Sequence, residues 1–299
     1  MADREVLSEE QVAFYRSEGY LLLERRIPED IIVALRSEIA RFEAEARGLT
    51  ESNDRLDLED SHTPENPRVR RIKAPHVTSD VVKALLYSDH ILAPVRDLIG
   101  PDVRLHGSKL NMKSAGYGAA IEWHQDFAFY PHTNADVLAV GVIIDDMGSE
   151  NGPLQVFPGS HKGPVHDHHV DGVFAGAMDL AACGFDIADA AELKGPAGSI
   201  SIHHGHTVHG SALNRSNRSR RILFLEMMAA DAFPIAGGTT KFESIEEYDS
   251  RILCGKPTLE PRVENVPVRI PQPQPELNRS IYEIQGRLKN RAFEKESWS

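Results

Sequence analysis

Between Val103 and Met228 the chain consists of short apolar or alternating runs set off by turn residues, and this texture restricts the fold more than any other feature. The runs are Val103 to Met112, Val137 to Ile144, Leu154 to Phe157, Ser199 to His203 and Arg221 to Met228. Short runs at this spacing predict an all-β core of antiparallel strands. All-β barrels often reach this length as one domain, and neither an internal repeat nor a linker between two cores interrupts the chain.

The first hundred residues read differently. Ser8-Glu9-Glu10-Gln11 is a capping box, and Gly19 is a stop for the helix it opens. Tyr20 to Leu23 suits a short strand. Pro28 starts a second helix, in which Ile31, Leu35, Ile39 and Phe42 recur at helical spacing before Gly48. Leu49 to Pro67 is polar and acidic and reads as a mobile loop. A third helix is expected from Ser79 towards Leu98. The expected organisation is one domain: a helical layer over residues 1–100, a core over 101–230 and a C-terminal extension over 231–299. A His-, Asp- and Ala-rich insertion from Gly163 to Leu193 reads as a lid or binding loop. Pro267 to Pro275 should run extended, and Ser280 to Lys289 should form a short polar helix.

The formal net charge of −12 argues against a nucleic-acid surface, which needs clustered Lys and Arg. Cys183 and Cys254 are far apart and in no metal spacing, so neither a disulfide framework nor a zinc knuckle is expected. The first residues lack the features of a signal peptide, and no apolar run approaches the roughly 18 residues of a membrane span. The expectation is a cytoplasmic protein with no membrane partner.

The chemistry centres on Trp123-His124-Gln125-Asp126. Residues two apart in a strand share a face, so His124 and Asp126 converge while Gln125 points away. An imidazole and a carboxylate on one face are two-thirds of a facial triad, which needs a histidine from another strand. Such a triad suits Fe(II) and leaves adjacent positions for substrate, cosubstrate and O2, whereas catalytic zinc favours other ligand patterns. The pair alone is common. Its support is downstream, where an alternating run ends in His203, His204, His206 and His209, followed by Asn214, Ser216, Arg220 and Arg221. A histidine followed by an arginine on the next strand is what a metal site with a chelating dicarboxylate needs, because the planar guanidinium grips the far carboxylate.

Taken together, the sequence resembles the phytanoyl-CoA dioxygenase family of Fe(II)/2-oxoglutarate oxygenases. The resemblance rests on an ordered series: Phe14 to Tyr20, Ser108 to Lys113, His124-Gln125-Asp126, Asn151 to Leu154, Pro158 to His161, and His209-Gly210-Ser211 through Asn214 to Arg220. It implies a mainly β fold with outer helices, a double-stranded β-helix or jelly-roll barrel. It also implies substrate oxidation, most simply hydroxylation of an unactivated C–H bond in a small molecule, coupled to conversion of 2-oxoglutarate into succinate and CO2. Carried over residue by residue, His124, Asp126 and His209 match the iron ligands, Arg220 the cosubstrate anchor and Ser211 its assisting hydroxyl. Arg71 and Lys109 fall where the family has further cosubstrate contacts, and Gln125 lies where backbone or side chain could reach the cosubstrate. Two positions depart from the pattern: Gly198-Ser199 replaces a common Gly-Asp, and Val142 stands where some relatives carry a tryptophan beside the cosubstrate.

Fourteen histidines invite over-assignment. His161 reads as a turn residue, and His166-Asp167-His168-His169 as a solvated loop or substrate contact rather than a second metal site. Phe127, Phe129 and Tyr130 suit pocket or core equally. Two rivals remain. A halogenase lacks the ligand carboxylate, which Asp126 supplies here, and a metal-binding or sensing barrel without turnover would not need Arg220. The substrate is a small molecule that the residues do not name, and the C-terminal tail leaves room for a homodimer.

Overall fold

The computed structural model describes residues 6–116, 118–237, 242–275, 281–286, 288 and 290–293. Helix α1 (Glu9–Glu18) begins with the reciprocal box its sequence announces: Ser8 Oγ accepts from the Gln11 N–H, and the Gln11 side chain accepts from the Ser8 N–H. It ends at Gly19, whose φ of 80° is left-handed and therefore favours glycine. Helix α2 (Glu29–Ala46) buries Ile32, Leu35, Ile39, Phe42 and Ala46 on one stripe.

The long third helix expected from Ser79 is instead a series: α3 (Pro75–Thr78), α4 (Asp80–Leu86) and α5 (Asp89–Ile99). Ser88 makes the break. Its backbone is extended and its hydroxyl donates to the Leu85 carbonyl at 2.7 Å, a local bond that competes with helix continuation. Pro94 lies inside α5 and cannot donate to His90 O, and the Arg26 guanidinium takes that carbonyl at 3.2 Å.

The strands are β1 (Tyr20–Leu23), β2 (Leu56–Leu58), β3 (Val69–Lys73), β4 (Val103–Lys113), β5 (Ile121–His124), β6 (Val137–Ile143), β7 (Leu154–Val156), β8 (His169–Val170), β9 (Val173–Phe174), β10 (Ala191–Leu193), β11 (Ile200–His204), β12 (His209–Ser211), β13 (Arg220–Ala229) and β14 (Ile252–Cys254). All pair antiparallel. An eight-stranded sheet runs β1-β11-β6-β13-β4-β3-β2, with β14 also on β4. A four-stranded sheet runs β10-β7-β12-β5. The two sheets share a core in which Ile143, Ile222 and Phe224 meet Leu154, Val156 and Leu193. Two facing antiparallel sheets with helices outside are the expected jelly roll.

Alternation divides the large sheet. Leu138, Val140 and Val142 of β6, Ile200 and Ile202 of β11, and Leu223, Leu225 and Met227 of β13 face outward and pack with the helices. Val142 therefore points away from the barrel interior and makes no contact there. The intervening residues face inward.

Two expected loops are ordered. Residues 49–67 contain the edge strand β2, whose Leu56, Asp57 and Leu58 are buried. The insertion 163–193 packs behind the small sheet, where Met178 and Leu180 join Trp123, Phe157, Val208 and Phe293. Its end, β10, completes that sheet. Of the expected C-terminal polar helix, Ile281–Gln285 forms α7, while 280, 287 and 289 lie outside the described residues. A short helix α6 (Ile245–Asp249) precedes β14.

Candidate metal centre and cosubstrate cavity

Strands β5 and β12 pair so that His124 and His209 stand directly opposite each other. The register brings the two imidazoles to a centroid separation of 4.1 Å although they are far apart in the chain. Strand β5 ends at His124. Gln125 is still extended, with φ −119° and ψ 130°, and Asp126 opens a 3-10 turn, Asp126–Ala128. The two-residue spacing keeps Asp126 on the same side as His124, as alternation predicts, even though Asp126 is no longer in the strand.

Both histidines have their ring orientation set by a backbone carbonyl. His124 Nδ1 donates to Glu122 O at 2.8 Å, and His209 Nδ1 donates to Thr207 O at 2.9 Å. Their Nε2 atoms are thereby left with lone pairs facing the site. Each Nε2 lies 3.9 Å from Asp126 Oδ1. The three ligand atoms lie within 4.8 Å of one another, in buried residues. The two 3.9 Å spacings are too long for hydrogen bonds but fall inside the reach of one ion, since donors bound at about 2.1 Å to the same metal are at most about 4.2 Å apart. Two nitrogens and one carboxylate oxygen are the donor set of an octahedral iron site with open positions.

The charges agree with this. Burial pushes the His124 imidazole down to about 4, and pushes His209 well below its ordinary value, so both are neutral ligands. Burial alone would raise the Asp126 carboxyl. A hydrogen bond from His203 and the Lys109 ammonium oppose it, and the carboxyl stays well below the usual range. His203 Nε2 sits 3.3 Å from Asp126 Oδ2, the oxygen on the side away from the ligand set. Tyr130 is also hydrogen-bonded to the Asp126 side chain. His203 and Tyr130 thus orient the carboxylate. The sequence reading gives His203 no role of its own, yet alternation carries the signal: Ile200 and Ile202 face out, so Ser201 and His203 face in.

The other histidines have structural partners. His204 faces His161 and Tyr15, and His206 meets the Phe127 ring edge-on at 3.9 Å. In the insertion, His168 Nε2 accepts the Gln125 N–H at 3.0 Å, and His169 bonds Asp167. Among the described residues His124, Asp126 and His209 are the group able to hold a metal.

A cavity of about 970 Å³ opens on the triad. Arg220, Ser211, Lys109 and Arg71 all line it, as do Phe129 and Tyr130. Phe127 instead packs behind the site. Arg220 is 2% exposed, and burial pushes its guanidinium down to about 10. Its Nε and Nη2 donate to Gly152 O, and no carboxylate of the described residues pairs with it. A buried cation so placed calls for an anion. Lys113 Nζ, also buried, donates to Ser211 O and Ala212 O and fixes the strand end that carries Ser211.

Gln125 has a different task from the one its position suggests. Its side chain donates to Pro164 O and His206 O and accepts the His166 N–H, so its polar atoms tie the insertion to the metal strand rather than face the cavity. Lys109 and Arg71 already have partners within the wall: Lys109 pairs with Glu226 at 2.6 Å and Arg71 with Asp57 at 2.8 Å.

This chain is similar to several known proteins. EctD from S. alaskensis with bound Fe has a TM-score of 0.66 at 24% identity, covering 86% of this chain and 87% of that one, and shares the fold. A probable alpha-ketoglutarate-dependent hypophosphite dioxygenase from Stutzerimonas stutzeri is 33% identical over 95% of this chain and 99% of its own length. L-proline trans-4-hydroxylase from Streptomyces griseoviridis is 29% identical over 71% of this chain and 82% of its own. The phytanoyl-CoA dioxygenase (PhyH) family model matches residues 15–222, a stretch that includes the whole triad, Ser211 and Arg220. With the buried His-Asp-His set inside that stretch, and an arginine that has no carboxylate partner among the described residues, the chain belongs to the phytanoyl-CoA dioxygenase family.

Proposed function

We propose that this protein is an iron(II)- and 2-oxoglutarate-dependent dioxygenase that hydroxylates an unactivated C–H bond of a small substrate. One observation carries the reading: a cavity presents the His124–Asp126–His209 set together with Arg220, a buried guanidinium without a carboxylate partner among the described residues. When bound, iron and 2-oxoglutarate supply the oxygen chemistry, one atom of O2 ending in succinate and the other in the product as CO2 leaves.

The chain's own residues supply position. Arg220 and Ser211 hold the far carboxylate of 2-oxoglutarate, and charge-assisted bonds from a guanidinium fix its orientation. His203 and Tyr130 keep Asp126 turned so that Oδ1 faces the ligand set. Phe129, Phe224 and Ile284 give the cavity apolar walls that exclude water. The hypophosphite dioxygenase matched along nearly this whole chain supports a second reading, in which the oxidised bond is P–H. The unpaired Cys183 and Cys254 support a reducing, cytoplasmic setting.

The test is anaerobic titration of the Fe(II)-loaded protein with 2-oxoglutarate, followed by succinate assay in air. Arg220→Met should weaken 2-oxoglutarate binding by about 10- to 100-fold, the worth of hydrogen bonds to a charged group. A wild-type protein that binds iron but neither binds nor consumes 2-oxoglutarate would sink the reading.

A further inference from the structure

We propose that the substrate carries a compact oxyanion, either a phosphorus oxyacid group or a carboxylate, received by Arg71, Lys73 and Lys109 on the cavity wall; this rests on the dioxygenase reading above. The chain's net charge is −12, yet this wall is cationic. Lys73 and Lys109 stand directly opposite each other in the β3–β4 ladder, and both line the cavity. Like charges directly opposite across a ladder destabilise a sheet.

The counter-charges fall short. Asp57 is a single buried carboxylate shared between two cations, with Lys73 Nζ at 2.7 Å and Arg71 Nη2 at 2.8 Å. Glu226 takes Lys109. Three cations therefore face two carboxylates, and the Arg71 Nη1 has no protein partner among the described residues. A surplus positive charge in a half-buried wall is costly unless an anion arrives to meet it.

That anion is not 2-oxoglutarate held at Arg220. On β13, Phe224 lies four residues beyond Arg220 and is level with Lys109 and Lys73. Four residues of strand put the two lysines about 13 Å along the sheet from Arg220. Asp126 also faces Lys109, but iron, Asp126, the dicarboxylate and Arg220 together carry no net charge, so the wall keeps its surplus for the substrate.

The experiment measures succinate release by the Fe(II) enzyme above its substrate-free rate. The phosphorus arm uses hypophosphite and ethylphosphonate, with diethyl ethylphosphonate as the neutral ester. The carboxylate arm uses proline and butyrate, with butyramide as the neutral amide. Stimulation by either set of anions, with the neutral compounds inert, supports the proposal and assigns the oxyanion to that arm. Lys73→Met should then raise the KM of the active anion by at least about tenfold, and Lys73→Arg should restore it. Neutral compounds acting as well as anions, no anion acting at all, or a KM unmoved by Lys73→Met would each overturn it. The anaerobic 2-oxoglutarate titration of the wild type separates the two failures: loss of binding there removes the dioxygenase reading itself, whereas normal binding confines the failure to the anion wall.

Discussion

The two faces of the large sheet are made by the same strands and serve opposite purposes. On β13, Leu223, Leu225 and Met227 are wholly buried against the helical layer, while Ile222, Phe224 and Glu226 border the cavity. On β11, Ile200 and Ile202 face the helices, whereas Ser201 and His203 face the interior. The outer face is uniformly apolar and stabilises the fold by burial. The inner face carries charge, and its small residues leave room: a Cβ on Gly141 would stand 2.6 Å from Ser201 Oγ and 3.0 Å from the Phe224 ring. A face with this much buried charge costs stability, and the apolar face of the same strands offsets it.

If that division holds, changes on the two faces should separate activity from stability. Asp126→Ala should have the largest effect, weakening iron binding by more than about 100-fold, since even residues behind the ligands commonly account for 10- to 100-fold. The metal-free protein should stay folded, losing no more than about 1–3 kcal/mol from the donor left unpaired at His203. Equal losses of metal affinity and of metal-free stability, in binding and urea titrations, would break the comparison.

Leu225→Ala is the opposite case. A fully buried leucine on the outer face should cost about 2–5 kcal/mol in urea unfolding, with iron affinity and succinate formation per folded molecule unchanged. A variant with normal stability and poor turnover would show that the outer face shapes the site directly.

The last effect concerns pH and builds only gradually across the acid range. Burial, with the nearby His106, pushes His132 down to about 3, so it is neutral in the fold. The unfolded chain protonates it near 6.5, so between those values the unfolded state binds more protons. Stability should fall as pH drops from about 6.5 towards 3, by up to about 1.4 kcal/mol per pH unit for this residue. His132→Leu should flatten the slope of unfolding free energy against pH by that share. An unchanged slope would mean that other buried groups dominate acid unfolding.

Much of this was legible beforehand because it is local. Ser8 and Gln11 are three residues apart, and a capping box needs nothing else. The expected β13 run from Arg221 to Met228 differs from the strand by one residue at each end. The break at Ser88 is hidden in the sequence because two helices with matching apolar stripes read as one. Residues 49–67 read as a loop because their polarity hides a carboxylate, Asp57, whose burial depends on Arg71 and Lys73 in the neighbouring strand. The His-rich insertion resembled a lid for the same reason: the apolar partners of Met178 and Leu180 lie on distant segments.

By itself the sequence determined the alternation of the strands, the caps, and the residue types able to hold iron and a dicarboxylate, since each depends on neighbours a few positions away. Only the tertiary structure decided that His209 pairs across from His124, that His203 and Tyr130 steady Asp126, that Gln125 fastens the insertion, and that Lys73 faces Lys109. Those relations are set by strand register, which is fixed by burying one face of a whole sheet and cannot be read from any one segment.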